Sequence, residues 1–303
     1  MPKISVIIPN YNHADYLQQR INSVVNQTFQ DFEVILLDDK STDNSRDILE
    51  KYRTHPKVST IIYNEQNSGS TFIQWEKGIK QAKGEYIWIA ESDDWCEPTL
   101  LEHLIEGIEQ DQDCVISYCQ SYCIQDSNKI NWSSSHKQLS EITEGENFMR
   151  TQMLLHNPIF NASMVLWKKS KFSEISYDYK NYKLCGDWLF WIELSRLGKV
   201  HISGRLLNYF RKHEKDVSGK AMKSGLNFIE TLTIINMLFK RQMISDKDYY
   251  KAFKMQYREY YPLRNSFESE FKSKIEQLFR NPLTSKSTYY KILAGTLWKH
   301  RRK

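Results

Sequence analysis

Two acidic clusters and one acidic residue beside aromatics mark where this chain could do chemistry. Asp93-Asp94 follows the apolar segment Glu85–Ala90 through Glu91-Ser92. Carboxylates at the end of a buried segment are costly in isolation, so a cation is the economical explanation. Hard carboxylate oxygens suit Mg²⁺ or Mn²⁺, which keep waters and bridge phosphates. A solvated acidic turn is the plainer reading. Asp38-Asp39 follows Val34–Leu37. A carboxylate there can accept from a ribose hydroxyl or a base N–H, or simply belong to a capping turn. Tyr11 could stack on a base or merely pack. Asp187 opens a stretch carrying Trp188 and Trp191. Such a carboxylate is usually a cap, and in an apolar setting it can be a general base. In Tyr209-Phe210-Arg211-Lys212-His213 a cation could neutralise phosphate and His213 could ligate a metal. A lone histidine is more often an ordinary surface or core residue. The other seven histidines show no pairing.

These residues need elements to hold them. Residues 4–8 (ISVII) read as a buried parallel strand that Pro9 stops. Leu17, Ile21, Val24 and Val25 repeat at helical spacing. Ser41 and Thr42 are expected to cap a helix running to about Tyr52. Val58–Tyr63 is a third strand, and a helix from Ser68-Gly69-Ser70 should end on Gly84 as its C′ residue. Glu85–Ala90 is a fourth strand, and Pro98 opens a helix lined by Leu100, Leu101, Leu104, Ile105 and Ile108. This alternation predicts a doubly wound α/β sheet, whose ligands bind beyond the carboxyl ends of its strands. Both acidic clusters and Asn10-Tyr11-Asn12 fall at such ends. The first βα turn has neither a GxGxxG nor a Walker A pattern, which favours a diphosphate held through a metal. Further on, 115–118 and 163–167 read as strands, 125–145 as a polar loop or flap, and 187–196 and 220–303 as helical.

The chain has 303 residues, 40% hydrophobic and 26% charged, enough for a packed core. No apolar run is long enough to cross a bilayer, and the first residues run straight into a strand without a signal-peptide pattern. Five cysteines without a CxxC pair argue against a disulfide framework and a structural zinc site. Net charge is +5, unevenly placed. Residues 1–219 hold 24 Lys and Arg against 30 Asp and Glu, whereas residues 220–303 hold 18 against 7. The basic end Trp298–Lys303 fits an anionic membrane surface, a solvated helix or a dimer face. An acidic body without a nucleic-acid-binding motif argues against nucleic acid.

Taken jointly, the motifs resemble the family 2 inverting glycosyltransferases with the GT-A fold. They are Val6-Ile7-Ile8-Pro9-Asn10-Tyr11-Asn12, Gln27-Thr28-Phe29, Asp31-Phe32-Glu33, Leu37 through Asp43, Asn67-Ser68-Gly69-Ser70, Lys83 through Ile87, Glu91-Ser92-Asp93-Asp94, Gly186-Asp187 and Arg211-Lys212-His213. They cover about residues 1–218. The resemblance implies a Rossmann-like nucleotide-sugar half (1–112), an acceptor-binding and catalytic half (113–218) and a basic helical C-terminal extension (219–303). By the same resemblance Pro9 and Tyr11 border the base, Asp39 contacts the uracil, and Asn12, Asn67, Gly69, Glu91, Ser92 and Arg211 belong to the donor site. Asp93, last acid of a DxD-like motif, and His213 would hold Mn²⁺ or Mg²⁺. Asp187 becomes the general base, with Asp94, Trp95 and Trp188 on the acceptor side. Two departures stand out: Glu91 is longer than the usual aspartate, and Thr71–Trp75 lacks the Arg or Lys many relatives carry.

The expected activity is inverting, metal-dependent transfer from a nucleotide-sugar, UDP-linked, to a hydroxyl of a saccharide or lipid-linked saccharide in cell-surface polysaccharide synthesis. The expected place is the cytoplasm, peripheral at the inner face of the plasma membrane, with a homodimer open. The rivals are a nucleotidyltransferase that makes nucleotide-sugars and a non-catalytic saccharide- or nucleotide-binding protein.

Overall fold

The computed structural model describes residues 1–125, 129–213 and 224–300, the last three by backbone alone. The side chains of the basic end Trp298–Lys303 therefore lie outside the described residues. The chain divides into two compact units. The first comprises Met1–Phe148, Pro158–Asn181 and Gly186–His213; the second comprises Met149–Asn157, Tyr182–Cys185 and Glu214–Lys303.

The first unit is built on one sheet. Strands β1 (Ile4–Asn10), β2 (Phe32–Asp38), β3 (Val58–Tyr63) and β4 (Tyr86–Ile89) alternate with helices α1 (Ala14–Val25), α2 (Ser45–Glu50) and α3 (Thr71–Gln81). Strand β5 (Trp95–Cys96) and helix α4 (Leu100–Glu109) follow. Then come β6 (Cys114–Gln125), β7 (Ile130–Ser133), β8 (Ser140–Glu144), the short helix α5 (Gly145–Phe148), β9 (Val165–Lys168), α6 (Gly186–Ser195) and β10 (Lys199–Lys212). The sheet order is β3-β2-β1-β4-β9-β6-β10-β5, with β7 on β6 and β8 on β10. β3, β2, β1 and β4 pair in parallel, so helices cover both faces and the strands read as unbroken apolar runs. Every residue of β1 and β2 is buried. β9 inserts antiparallel between β4 and β6, making the sheet mixed.

Several local expectations change. β1 runs through Pro9 to Asn10. Ile7 accepts from Ala90 N–H, so Pro9, two residues on, faces the same side after β4 has ended, where no ladder donor is needed. Gly84 is no helix cap, since α3 already stops at Ala82 in extended backbone. A Cβ at Gly84 would lie 2.6 Å from Ser5 N, so the glycine permits close approach to β1. The polar stretch 125–145 contains β7 and β8, edge strands whose residues are exposed or half-buried.

The second unit carries four α-helices among its described residues: α7 (Leu226–Lys240), α8 (Asp246–Leu263), α9 (Ser269–Arg280) and α10 (Lys286–His300). Phe228, Leu232, Ile235, Phe253, Tyr257 and Phe279 are buried there. Glu230 is buried too, and its carboxylate accepts from the backbone N–H groups of Lys183, Leu184 and Cys185, each at 2.9 Å.

Candidate functional site

The carboxyl ends of β1 and β2 form the first part of the site. Asn10 Nδ2 donates to Asp38 Oδ1 at 2.9 Å and to Ser41 Oγ at 3.1 Å. Asn12 has φ 55°, a left-handed conformation that asparagine tolerates. Its Oδ1 accepts from Thr42 N at 2.7 Å, and its own N–H donates to Ser41 Oγ. Ser41 and Thr42 thus stitch two loops together instead of capping α2, which starts after Asn44 without a side-chain cap.

Asp39 is buried and richly bonded. Its Oδ1 accepts from Asn64 Nδ2 (2.6 Å), Ser68 N (2.8 Å) and Gln74 Nε2 (3.0 Å), while Oδ2 accepts from Ser68 Oγ (2.7 Å). Asn67 donates to the Asp39 carbonyl and accepts from Gly69 N–H, and Gly69 has the φ of 70° this turn requires. A carboxylate offers about four lone-pair sites. Three donors crowd Oδ1, so Oδ2 is the oxygen with capacity for a ligand. Tyr11, next to this rim in sequence, is 47% exposed.

The turn after β4 forms the second part. Its three acids face different partners. Asp93 Oδ2 lies 3.1 Å from His213 Nε2, just past the end of β10. Burial pushes the Asp93 carboxyl up, but the His213 hydrogen bond and the charge of His13 outweigh it and hold it below the ordinary carboxylate range. Glu91 accepts from Trp75 Nε1 at 2.9 Å, and burial, then the charge of Asp93, pushes it up to about 8. Asp94 is enclosed: it accepts from Asn161 Nδ2, Ser163 Oγ and the Arg211 backbone N–H, and burial raises its pKa. It faces the interior and not an acceptor. Ser92 is buried against His13, with Oγ 2.8 Å from Nδ1.

Two arginines support this turn. Arg211 lies between the rings of Tyr16 (4.6 Å) and Trp95 (4.4 Å) and donates to the Asp93 carbonyl and to Gln19. At 5% exposure its guanidinium is engaged by protein. Trp95 also stacks on Tyr209 at 4.8 Å. Arg20 is fully buried over Trp88 and donates from Nε to the Glu91 carbonyl, and its charge partly opposes the upward shifts of Glu91 and Asp94.

Asp187 lies in the first turn of α6, where its Oδ1 accepts from Trp188 N at 2.7 Å. Trp188 is buried. A Cβ at Gly186 would lie 2.3 Å from the Tyr179 carbonyl and 2.5 Å from Phe72, so glycine permits this helix start to meet α3. The Trp75 ring of α3 packs on Phe190 and Trp191 of α6. The same helix that reaches Asp39 through Gln74 and Glu91 through Trp75 therefore supports α6. It holds both acids in place with neutral donors.

One ligand atom each from His13, Asp93 and His213 lies within 4.8 Å of the others. This carboxylate and two imidazoles fit a divalent ion. His13, Arg20, Gln74 and Trp75 escape the sequence reading. Arg20 alone had a signal, a charge on the apolar face of Leu17, Ile21 and Val24.

The glycosyl transferase family 2 profile matches residues 5–175. The chain belongs to that family. It is 36% identical over 126 residues to the glycosyltransferase GlyG of Streptococcus pneumoniae serotype 4, covering 41% of this chain and 42% of GlyG. It is 31% identical over 201 residues to the poly(ribitol-phosphate) beta-N-acetylglucosaminyltransferase TarP of Staphylococcus aureus, covering 64% of this chain and 57% of TarP. With a putatively named relative, TuaG of Bacillus subtilis, the match spans 46% of that protein, so under half of GlyG and of TuaG is represented. Among solved structures, S. aureus TarS 1-349 in complex with UDP-GlcNAc superposes with a TM-score of 0.70 at 20% identity, covering 91% of this chain and 79% of that one. That likeness establishes the fold, the GT-A arrangement of family 2. Among the described residues no helix is long and apolar enough to cross a membrane.

Proposed function

We propose that this chain transfers a sugar, with inversion, from a UDP-linked donor to a hydroxyl of a saccharide or lipid-linked saccharide in cell-surface polysaccharide synthesis. The observation that carries the reading is the His13–Asp93–His213 group beyond β4 in a family 2 fold, on the same sheet rim as the Asp39 cradle. The likeness to TarP, which acts on poly(ribitol-phosphate), and to TuaG, named for teichuronic acid biosynthesis, supports the acceptor class.

In this reading Asp39 receives the base N–H through Oδ2, and Tyr11 covers the base. Pro9, Asn12, Asn67 and Gly69 shape that rim, and Glu91 and Ser92 complete the donor side. Asp93 and His213 hold Mn²⁺ or Mg²⁺. The bound ion supplies neutralisation of the charge that builds on the departing diphosphate. Arg211 keeps the Asp93 backbone in place through its bond to the carbonyl. Asp187 takes the proton of the attacking hydroxyl, and attack opposite the leaving group inverts the anomeric centre. The basic composition of 220–303 supports contact with an anionic membrane surface.

The test is Asp187→Asn. General-base removal should lower transfer by about 10²–10⁴-fold. The thermal shift given by UDP-sugar with Mn²⁺ should persist. Full turnover in the variant would refute the base, and release of pyrophosphate in place of nucleoside diphosphate would refute the transferase.

A further inference from the structure

We propose that His13 is a third protein ligand of the ion, so that the chain binds a divalent transition metal before any nucleotide arrives and prefers it to Mg²⁺. The inference rests on reading Asp93 and His213 as metal ligands, and not on the transfer reaction itself.

Three separate elements bring the donors together. His13 is the residue before α1, in the loop after β1; Asp93 lies in the turn after β4; His213 follows β10. β1 and β4 are paired neighbours, so the loops after them share one rim. The His13 and His213 rings meet edge to face, 5.5 Å apart at 88°, and Tyr16 packs on His213 at 5.0 Å. Two ligands at right angles on an ion with bonds near 2.1 Å sit about 3 Å apart. The Asp93–His213 separation of 3.1 Å already has that spacing. His13 must move in by about 2 Å at most from the 4.8 Å limit of the group, a side-chain adjustment.

The orientation of His13 is also set. Its Nδ1 pairs with Ser92 Oγ at 2.8 Å, so Nε2 is the ligating nitrogen in this proposal. Metal-bound histidines almost always donate their other ring nitrogen to such a partner, which fixes the tautomer. Ser92 is buried and immediately precedes Asp93, so one short segment supplies both a ligand and the group that aims another.

The donor set then decides the ion. Mg²⁺ demands oxygen ligands, whereas imidazole suits later first-row ions. Among the described residues, an all-oxygen set would need Glu91 or Asp94. Glu91 is engaged by Trp75, and Asp94 by Asn161, Ser163 and the Arg211 backbone. Among the described residues, two of the three donors grouped there are nitrogens.

The experiment uses the full chain, stripped of metal with chelator and free of nucleotide. Calorimetry with MnCl₂, and electron paramagnetic resonance of Mn²⁺ with MgCl₂ as competitor, read the site directly. One Mn²⁺ per chain is expected, undisplaced by a tenfold excess of Mg²⁺. His13→Ala and His13→Gln should each weaken Mn²⁺ at least tenfold, with Ser92→Ala about tenfold weaker, the scale of a supporting partner. Far-UV circular dichroism checks that each variant is folded. Equal Mn²⁺ affinity in wild type and both His13 variants would overturn the inference, as would displacement by equimolar Mg²⁺. Binding that appears only with UDP, alike in wild type and His13→Ala, would overturn it while leaving the transferase reading standing. Loss of UDP-dependent Mn²⁺ binding in wild type would remove both.

Discussion

Lowering the pH should loosen this fold through His201, and the amount follows from its surroundings. His201 is 2% exposed on β10, with Nδ1 2.7 Å from Ser117 Oγ and Nε2 3.1 Å from Ser140 Oγ. Burial pushes its pKa down to about 4 from the ordinary 6.5, and no carboxylate among the described residues opposes it. The native state therefore keeps the ring neutral while the unfolded chain takes up a proton below pH 6.5. Stability from this group is complete above that pH and is lost as pH falls toward 4. Linkage gives a loss of about 2 kcal/mol at pH 5 and on the order of 3 kcal/mol at pH 4. Urea unfolding by tryptophan fluorescence, at pH 7.5, 5 and 4, would compare wild type with His201→Gln. Every tryptophan but Trp298 lies in the first unit, so the signal reports the sheet that holds His201. Other titrating groups are common to both proteins and cancel. The glutamine variant should be the less stable at pH 7.5 and should close the gap by those amounts on acidification. Parallel pH profiles would refute the reasoning. The stakes reach the site, because β10 continues from His201 to Arg211 and ends just before His213.

Three more outcomes follow from single contacts. Trp75→Phe keeps most of the packing on Phe190 and Trp191 but removes the donor to Glu91; a loss of about 1–2 kcal/mol in urea unfolding and a raised donor KM are expected. Asp94→Asn turns an N–H₂ toward groups that all donate, costing about 1–3 kcal/mol, read from the unfolding midpoint. Glu230→Ala deprives three backbone N–H groups of their acceptor and should speed hydrogen exchange at Lys183, Leu184 and Cys185 at least tenfold, by mass spectrometry.

The parallel strands were legible because burial on both faces leaves unbroken runs such as Ile4–Ile8 and Val34–Leu37, and the GT-A fold expected from them and the motifs is the one observed. Edge strands β7 and β8 were not, since their residues stay exposed or half-buried and their sequences read as polar loop. Pro9 misled for a local reason: whether a missing N–H matters depends on where the neighbouring strand stops. Residue types marked the rim, but not the aim of each acid. Asp93 and Asp94 are adjacent, yet one turns to His213 and the other to the interior. His13 lies 79 residues from its Ser92 partner and 80 from Asp93, so no local spacing announces it.

The Glu230 carboxylate has a practical consequence for anyone dividing this chain. Residues 1–218 hold every recognisable family motif and invite expression as a minimal catalytic piece. That piece lacks α7, and with it the anion on which the amides just ahead of Gly186-Asp187 rest. Its weak activity would report an unfastened loop, and would be mistaken for missing chemistry.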